Sequence, residues 1–184
     1  MFDHLPAEVR KKIQFMMTIP FFQEFTPSDL SETALMSVWL KFAAGTIIIQ
    51  EGEIGSSFWI ILRGSVKVVK RVLNNPEGIL LSVIPCGECF GEMSMISGQP
   101  RTADIMANED VMLFKIDDHG LKKAREGLQL KFFKRFSQIL VNRLTQTMAT
   151  LSQLQQAPKP PKAPSSGESK YYPKAKDDKI SQPF

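Results

Sequence analysis

Between Trp39 and Ile116 the apolar residues come only in short runs: Thr46 to Ile49, Phe58 to Leu62, Val66 to Val69, Ile79 to Ile84, Ile105 to Ala107 and Val111 to Ile116. Gly45, Gly52, Gly55, Gly64, Pro85-Cys86-Gly87 and Gly98-Gln99-Pro100 separate them. None is long enough for an ordinary helix, and short strands at regular turn spacing close into a sandwich or barrel. Seven or eight antiparallel strands are expected. Asn74-Asn75-Pro76-Glu77-Gly78, between two β-branched runs, predicts the tip of a hairpin.

The flanks have a different period. Residues 5 to 38 read as helical, with Leu30, Ala34, Leu35 and Val38 spaced by three or four, and Thr26-Pro27-Ser28-Asp29 has the form of a helix start. Residues 121 to 156 read as one long amphipathic helix: Phe136, Leu140, Leu144, Met148 and Leu151 form a stripe that Phe132, Phe133 and Ile139 widen. Its first half, through about Ile139, is expected to cover the chain's own strands. Beyond Leu144 the stripe outruns one small barrel, which predicts a two-stranded coil with a second copy or a partner. The expected fold class is α+β. Its zones are a helical segment at 1–38, a β domain at 39–120, a lid or dimerisation helix at 121–156 and a tail at 157–184.

Six of the twelve prolines fall within that tail, beside lysine and serine, and aliphatic residues nearly vanish, so no packed core is available and disorder is expected. Pro158-Lys159-Pro160-Pro161-Lys162 resembles an extended polyproline segment on which a partner could dock, although a solubilising terminus is the plainer reading. The tail holds six lysines against three acids, so of the formal charge of +4 only +1 belongs to the rest of the chain. That near-neutral body gives no footprint for direct DNA binding. Nor does any stretch reach the roughly 18 apolar residues of a membrane span. Thr18 and Pro20 break the early apolar pieces, the wrong build for a secretory signal, so a cytoplasmic protein is expected. Cys86 and Cys89 are too few for a disulfide framework and are expected to be reduced.

The chemistry concentrates from Phe90 to Ala103, Phe-Gly-Glu-Met-Ser-Met-Ile-Ser-Gly-Gln-Pro-Arg-Thr-Ala. Gly91, a short helical turn and a Gly-Gln-Pro break bring together Glu92, Arg101 and several backbone N–H groups. A guanidinium suits a phosphate because its planar fork donates two parallel hydrogen bonds and keeps its charge when desolvated. A carboxylate beside that anion would repel it unless it faced a donor, and a ribose hydroxyl is such a donor. The pair therefore suits a small molecule with a phosphate next to a sugar hydroxyl.

This segment resembles the phosphate-binding cassette of cyclic-nucleotide-binding domains, the family of bacterial catabolite activator proteins, cyclic-nucleotide-dependent kinase regulatory regions and cyclic-nucleotide-gated channels. The family's Phe-Gly-Glu, short helix and Pro-Arg-Ser/Thr/Ala-Ala match Phe90 to Ala103. Gly45, Glu51-Gly52-Glu53, Ile61 to Val66 and Pro85 to Gly87 fall at the family's turns, and the likeness covers about residues 20 to 150. It implies an antiparallel β-roll of the jelly-roll type, flanked by N-terminal helices and a long C-terminal helix. The activators' helix-turn-helix domain has no counterpart in the 28 residues after Gln156.

By the resemblance, Glu92 accepts from the ribose 2′-hydroxyl and Arg101 binds the exocyclic phosphate oxygens. Gly91 permits close approach, Thr102 and Ala103 donate to the phosphate, and Met93 and Ser94 complete the expected ligand-binding set. Asn142 to Thr147 resembles the activators' Arg-Arg-Leu-x-x-Thr, which implies an adenine contact at Thr147 and favours cyclic AMP over cyclic GMP; Thr102 does not choose between them. Cys86-Gly87-Glu88-Cys89 has metal or redox spacing, yet the only histidines are His4 and His119, and no metal site is expected. No catalytic set appears. The expected function is a non-enzymatic receptor needing no cofactor, which binds a cyclic purine nucleotide and signals through residues 121–156 to a protein partner or a second copy. The alternative is a scaffold that uses the β-roll, coil or tail without ligand.

Overall fold

The computed structural model describes residues 2, 4–73 and 75–156. The expected Pro/Lys-rich tail, with Pro158 to Lys162 and both tyrosines, lies outside the described residues, as does Asn74 of the hairpin. Two compact units divide at residue 144: Met1–Leu144 and Thr145–Phe184.

The first unit opens with helix α1 (Ala7–Met16), a short 3-10 turn (Pro20–Phe22) and helix α2 (Pro27–Met36). The helix start expected at Thr26 is a capping box: Thr26 Oγ1 accepts from the Asp29 amide, Asp29 Oδ2 accepts from the Thr26 amide at 2.8 Å, and Pro27 occupies the first turn. The far end of α2 is held by the buried Lys12 of α1, whose ammonium donates to Ala34 O at 3.1 Å and to Ser37 O.

Eight strands follow: β1 (Val38–Phe42), β2 (Ile47–Ile49), β3 (Ser57–Arg63), β4 (Ser65–Val72), β5 (Asn75–Pro85), β6 (Cys89–Phe90), β7 (Asp104–Ala107) and β8 (Val111–Asp117). They form two antiparallel four-stranded sheets, ordered β1-β8-β3-β6 and β2-β7-β4-β5. This is the antiparallel β-roll; β4 and β5 form a hairpin as expected, but Asn75 to Gly78, expected at its tip, already belong to β5, whose Asn75 pairs with Val72 of β4. The six-residue β3 run from Ser57 to Leu62 is continuously buried because both of its faces are covered. Phe58, Ile60 and Leu62 meet the helices, while Trp59 and Ile61 point into the roll with Ile49, Val66, Phe90 and Leu113.

The C-terminal helical zone is two helices, α4 (Asp118–Lys123) and α5 (Glu126–Gln156). Ala124 takes an extended conformation between them, ending the single helix that the periodicity suggested from Leu121. Leu128, Phe132, Phe136 and Ile139 are buried, and Phe136 packs edge-on to Phe58 at 4.8 Å between centroids. Phe133, expected in the same stripe, is 42% exposed because one residue along a helix turns it about 100° away from Phe132. Leu144, Met148 and Leu151 are exposed.

Three salt bridges fasten the start of α5 to α2: Arg125 Nη2 lies 3.0 Å from Asp29 Oδ1 and its Nε 2.6 Å from Glu32 Oε2, and Lys131 reaches Asp29 Oδ2. Burial alone would raise the Asp29 carboxyl, but Lys131 and the Thr26 hydroxyl and amide draw it down to about 2.

Candidate functional site: the cassette between β6 and β7

After β6 the chain turns at Gly91, where φ is 82°, and enters helix α3 (Glu92–Ser97). A Cβ at Gly91 would sit 2.9 Å from Arg101 Nη1 and 3.0 Å from Ser57 O, so both the backbone angle and the space require glycine. Gly55 has a similar role from the β2–β3 loop. A Cβ there would lie 2.6 Å from Nε and Nη2 of Arg101, so the missing side chain leaves the slot that the guanidinium fills.

Arg101 is fixed along its whole length. Its amide donates to Glu53 O and its carbonyl accepts from the Gly52 amide, both at 2.8 Å. Its guanidinium is buried and donates from Nη1 to Gly91 O and from Nη2 to Ser57 O, each at 2.7 Å. A guanidinium carries five N–H groups. Ser57 Oγ lies 3.3 Å from Nη2, which leaves Nε–H and the second Nη1 hydrogen with no protein acceptor among the described residues. Burial works against the Arg101 charge, while Glu53 and Glu92 support it.

Glu92 is 1% exposed, and its Oε1 accepts from Arg143 Nη1 of α5 at 2.8 Å. Arg143 also donates to Cys89 O and lies 3.5 Å from Glu88 Oε2. Burial pushes the Glu92 carboxyl above its usual range, and Arg143 opposes that shift. Glu92, Arg101 and Arg143 line one cavity of about 90 Å³, whose apolar wall includes Ile49, Val68 and Ile84. Gly91, Met93, Ser94, Thr102 and Ala103 border it too, so seven of the residues singled out in the sequence surround one space. Thr102 is exposed and its carbonyl accepts from Lys70 Nζ at 2.8 Å. Thr147 lies on α5 within the second unit.

Arg143, Gly55 and Ser57 were not singled out as site residues. Arg143 stands inside the Asn142 to Thr147 motif, where Thr147 carries the functional reading, and Gly55 reads only as a turn. Cys89 is fully buried and its thiol is held well above the ordinary range, chiefly by burial, which removes the thiolate that redox chemistry requires. Among the described residues no group of three His, Cys, Asp or Glu side chains is placed to hold a metal ion. A larger, open hollow of about 460 Å³ lies by Lys41, Arg63, Glu109 and Asp110 and contains no cassette residue.

A buried arginine fork and a buried carboxylate thus border one space on a roll of this topology. Residues 39–126 match the family model described as the cyclic nucleotide-binding domain.

The chain is 31% identical over 100 residues to the cGMP-dependent protein kinase, isozyme 1, of Drosophila melanogaster, covering 54% of this chain and 13% of that protein. It is 30% identical over 109 residues to the cAMP-dependent protein kinase regulatory subunit of Aspergillus niger, covering 59% and 26%. The chain thus spans about a quarter or less of these relatives. Among solved structures, a cyclic nucleotide-binding domain from Methylobacillus flagellatus superposes with a TM-score of 0.68 at 22% identity, covering 79% of this chain and 83% of that one. The regulatory subunit of a cAMP-independent protein kinase A from Trypanosoma brucei gives 0.61 at 28%, covering 71% and 47%.

Proposed function

We propose that this chain is a receptor for a cyclic purine nucleotide, with the phosphate at Arg101 and the ribose 2′-hydroxyl at Glu92. The observation that carries this reading is that Arg101, two of whose N–H groups have no protein acceptor among the described residues, lines one cavity with Glu92. Backbone around Gly91, Met93 and Ser94 supplies further donors, and Thr102 and Ala103 close the phosphate side. Cyclic AMP is favoured over cyclic GMP on the strength of Thr147, and no cofactor is required.

The cavity of about 90 Å³ is well below the roughly 300 Å³ at which small-molecule sites begin, so a nucleotide enters only if the site opens. Arg143 is the side chain that must yield, because it occupies the carboxylate oxygen the ribose hydroxyl seeks. Nucleotide binding therefore pulls on α5, and the exposed part of that helix passes the signal to a protein partner or a second copy. The same observation favours a second reading. A cavity this small, with Glu92 and Arg101 already bonded to the chain itself, also suits a ligand-independent scaffold.

Calorimetric titration with cyclic AMP and cyclic GMP separates the two. Binding is expected, weakened at least about tenfold in Arg101→Ala, since charge-assisted hydrogen bonds contribute about 1.5–3 kcal/mol each. No heat and no gain in melting temperature with either nucleotide at about 1 mM would favour the scaffold.

A further inference from the structure

Three of the four sheet edges are protected by ordinary means. Strand β2 has three residues and β6 has two, while β1 has five with the exposed Lys41 among them. Short or charged edges resist pairing with another chain. Strand β5 is the exception: it is eleven residues long, ends its sheet, and among the described residues pairs only with β4. No charged residue occurs between Glu77 and Pro85, and the run Ile79-Leu80-Leu81-Ser82-Val83-Ile84 has high β-propensity. Ile79, Leu80, Leu81 and Val83 are 49%, 54%, 58% and 47% exposed. A bulge at Leu81, left unpaired between Ser82 and Leu80, is the one protective device within the run.

The surroundings identify the occupant. Lys70 is neutralised by Glu51 at 2.6 Å and Arg71 by Asp104 at 2.8 Å, so the flank of β5 offers little charge for an acidic or basic partner to recognise. Uncharged, apolar and β-prone, the edge is complementary to itself. We infer that β5 is a self-association edge, pairing antiparallel with β5 of a second copy so that two four-stranded sheets become one eight-stranded sheet. Lys67 of β4 is the cation closest to being opposed to itself. In that arrangement the two copies of it lie three strand spacings apart, about 14 Å, beyond the screening length of about 8 Å at physiological salt. This inference stands independently of the nucleotide reading.

Sedimentation of the full chain tests it. The wild type is expected to dimerise, Leu81→Lys to raise the dimer dissociation constant at least about tenfold, and Leu151→Lys on α5 to leave it unchanged. Val83→Lys replaces Leu81→Lys if circular dichroism shows that the latter does not fold. Amide hydrogen exchange across Leu80 to Val83 should slow as wild-type concentration rises. A wild type still monomeric at about 200 μM, a dimer indifferent to the β5 lysines, or one abolished equally by Leu151→Lys would overturn the assignment.

Discussion

Removing Arg143 isolates the Glu92 carboxylate in a buried site, and the consequence depends on pH. In Arg143→Ala, Glu92 loses the 2.8 Å bond at Oε1 and Cys89 O loses its donor. Deleting one member of a buried pair costs about 3–5 kcal/mol when the survivor stays charged. The Arg143 side chain is 31% exposed, so solvent screening lowers the expected loss to about 2 kcal/mol near pH 8. In acid the penalty shrinks, because a carboxyl that burial already pushes above its usual 4.5 can neutralise itself. Without Arg143 that shift grows. The folded variant then holds a proton that the unfolded chain has released, and its stability falls as pH rises from about 4.5 through the folded pKa. Urea unfolding at about pH 5 and pH 8 should show the Arg143→Ala penalty growing by at least about 1 kcal/mol. Adding Glu92→Gln should abolish that growth. A penalty equal at both pH values, or one unaffected by Glu92→Gln, would refute the coupling of α5 to the cassette through this pair.

Asp29 sets an acid limit of opposite sign. Its carboxyl is lowered from 3.8 to about 2, so it contributes about 2 kcal/mol above pH 4, lost as pH falls towards 2. Asp29→Asn should flatten acid unfolding across that window, and an unchanged acid limb would exclude Asp29 as its source. Gly55→Ala tests the fixed fork: its Cβ enters the slot of the Arg101 guanidinium at 2.6 Å and must displace it, while the backbone there has no positive φ to strain. Nucleotide affinity is expected to fall about tenfold, the loss of one charge-assisted hydrogen bond, and the melting temperature to fall with it as the displaced guanidinium gives up Gly91 O and Ser57 O. Unaltered affinity by calorimetry would contradict the need for a fixed fork.

Legibility in the sequence followed the range of the forces involved. Local chemistry reads directly. The Thr26 capping box, the glycine-bounded strands and the Phe90 to Ala103 cassette each carry their cause within a few residues, and each stands where its pattern placed it. The break at Ala124 was hidden because the apolar period continues from Leu121 to Leu128; what interrupts it is Arg125, anchored by Asp29 and Glu32 from α2, nearly a hundred residues earlier.

The same distance concealed the partners of the cassette. Ser57 O and Gly55 serve Arg101 through a carbonyl and a missing side chain, features every residue or every turn can offer, so no residue type announces them. Arg143 is fifty-one residues from Glu92, and one arginine among the cations of an amphipathic helix carries no mark of the carboxylate it will meet. The motif identified the two groups suited to a ligand, whereas only the fold reveals that the chain itself already engages both. Under the proposed function, a nucleotide would therefore have to displace Arg143 from Glu92 before it gained anything from Arg101.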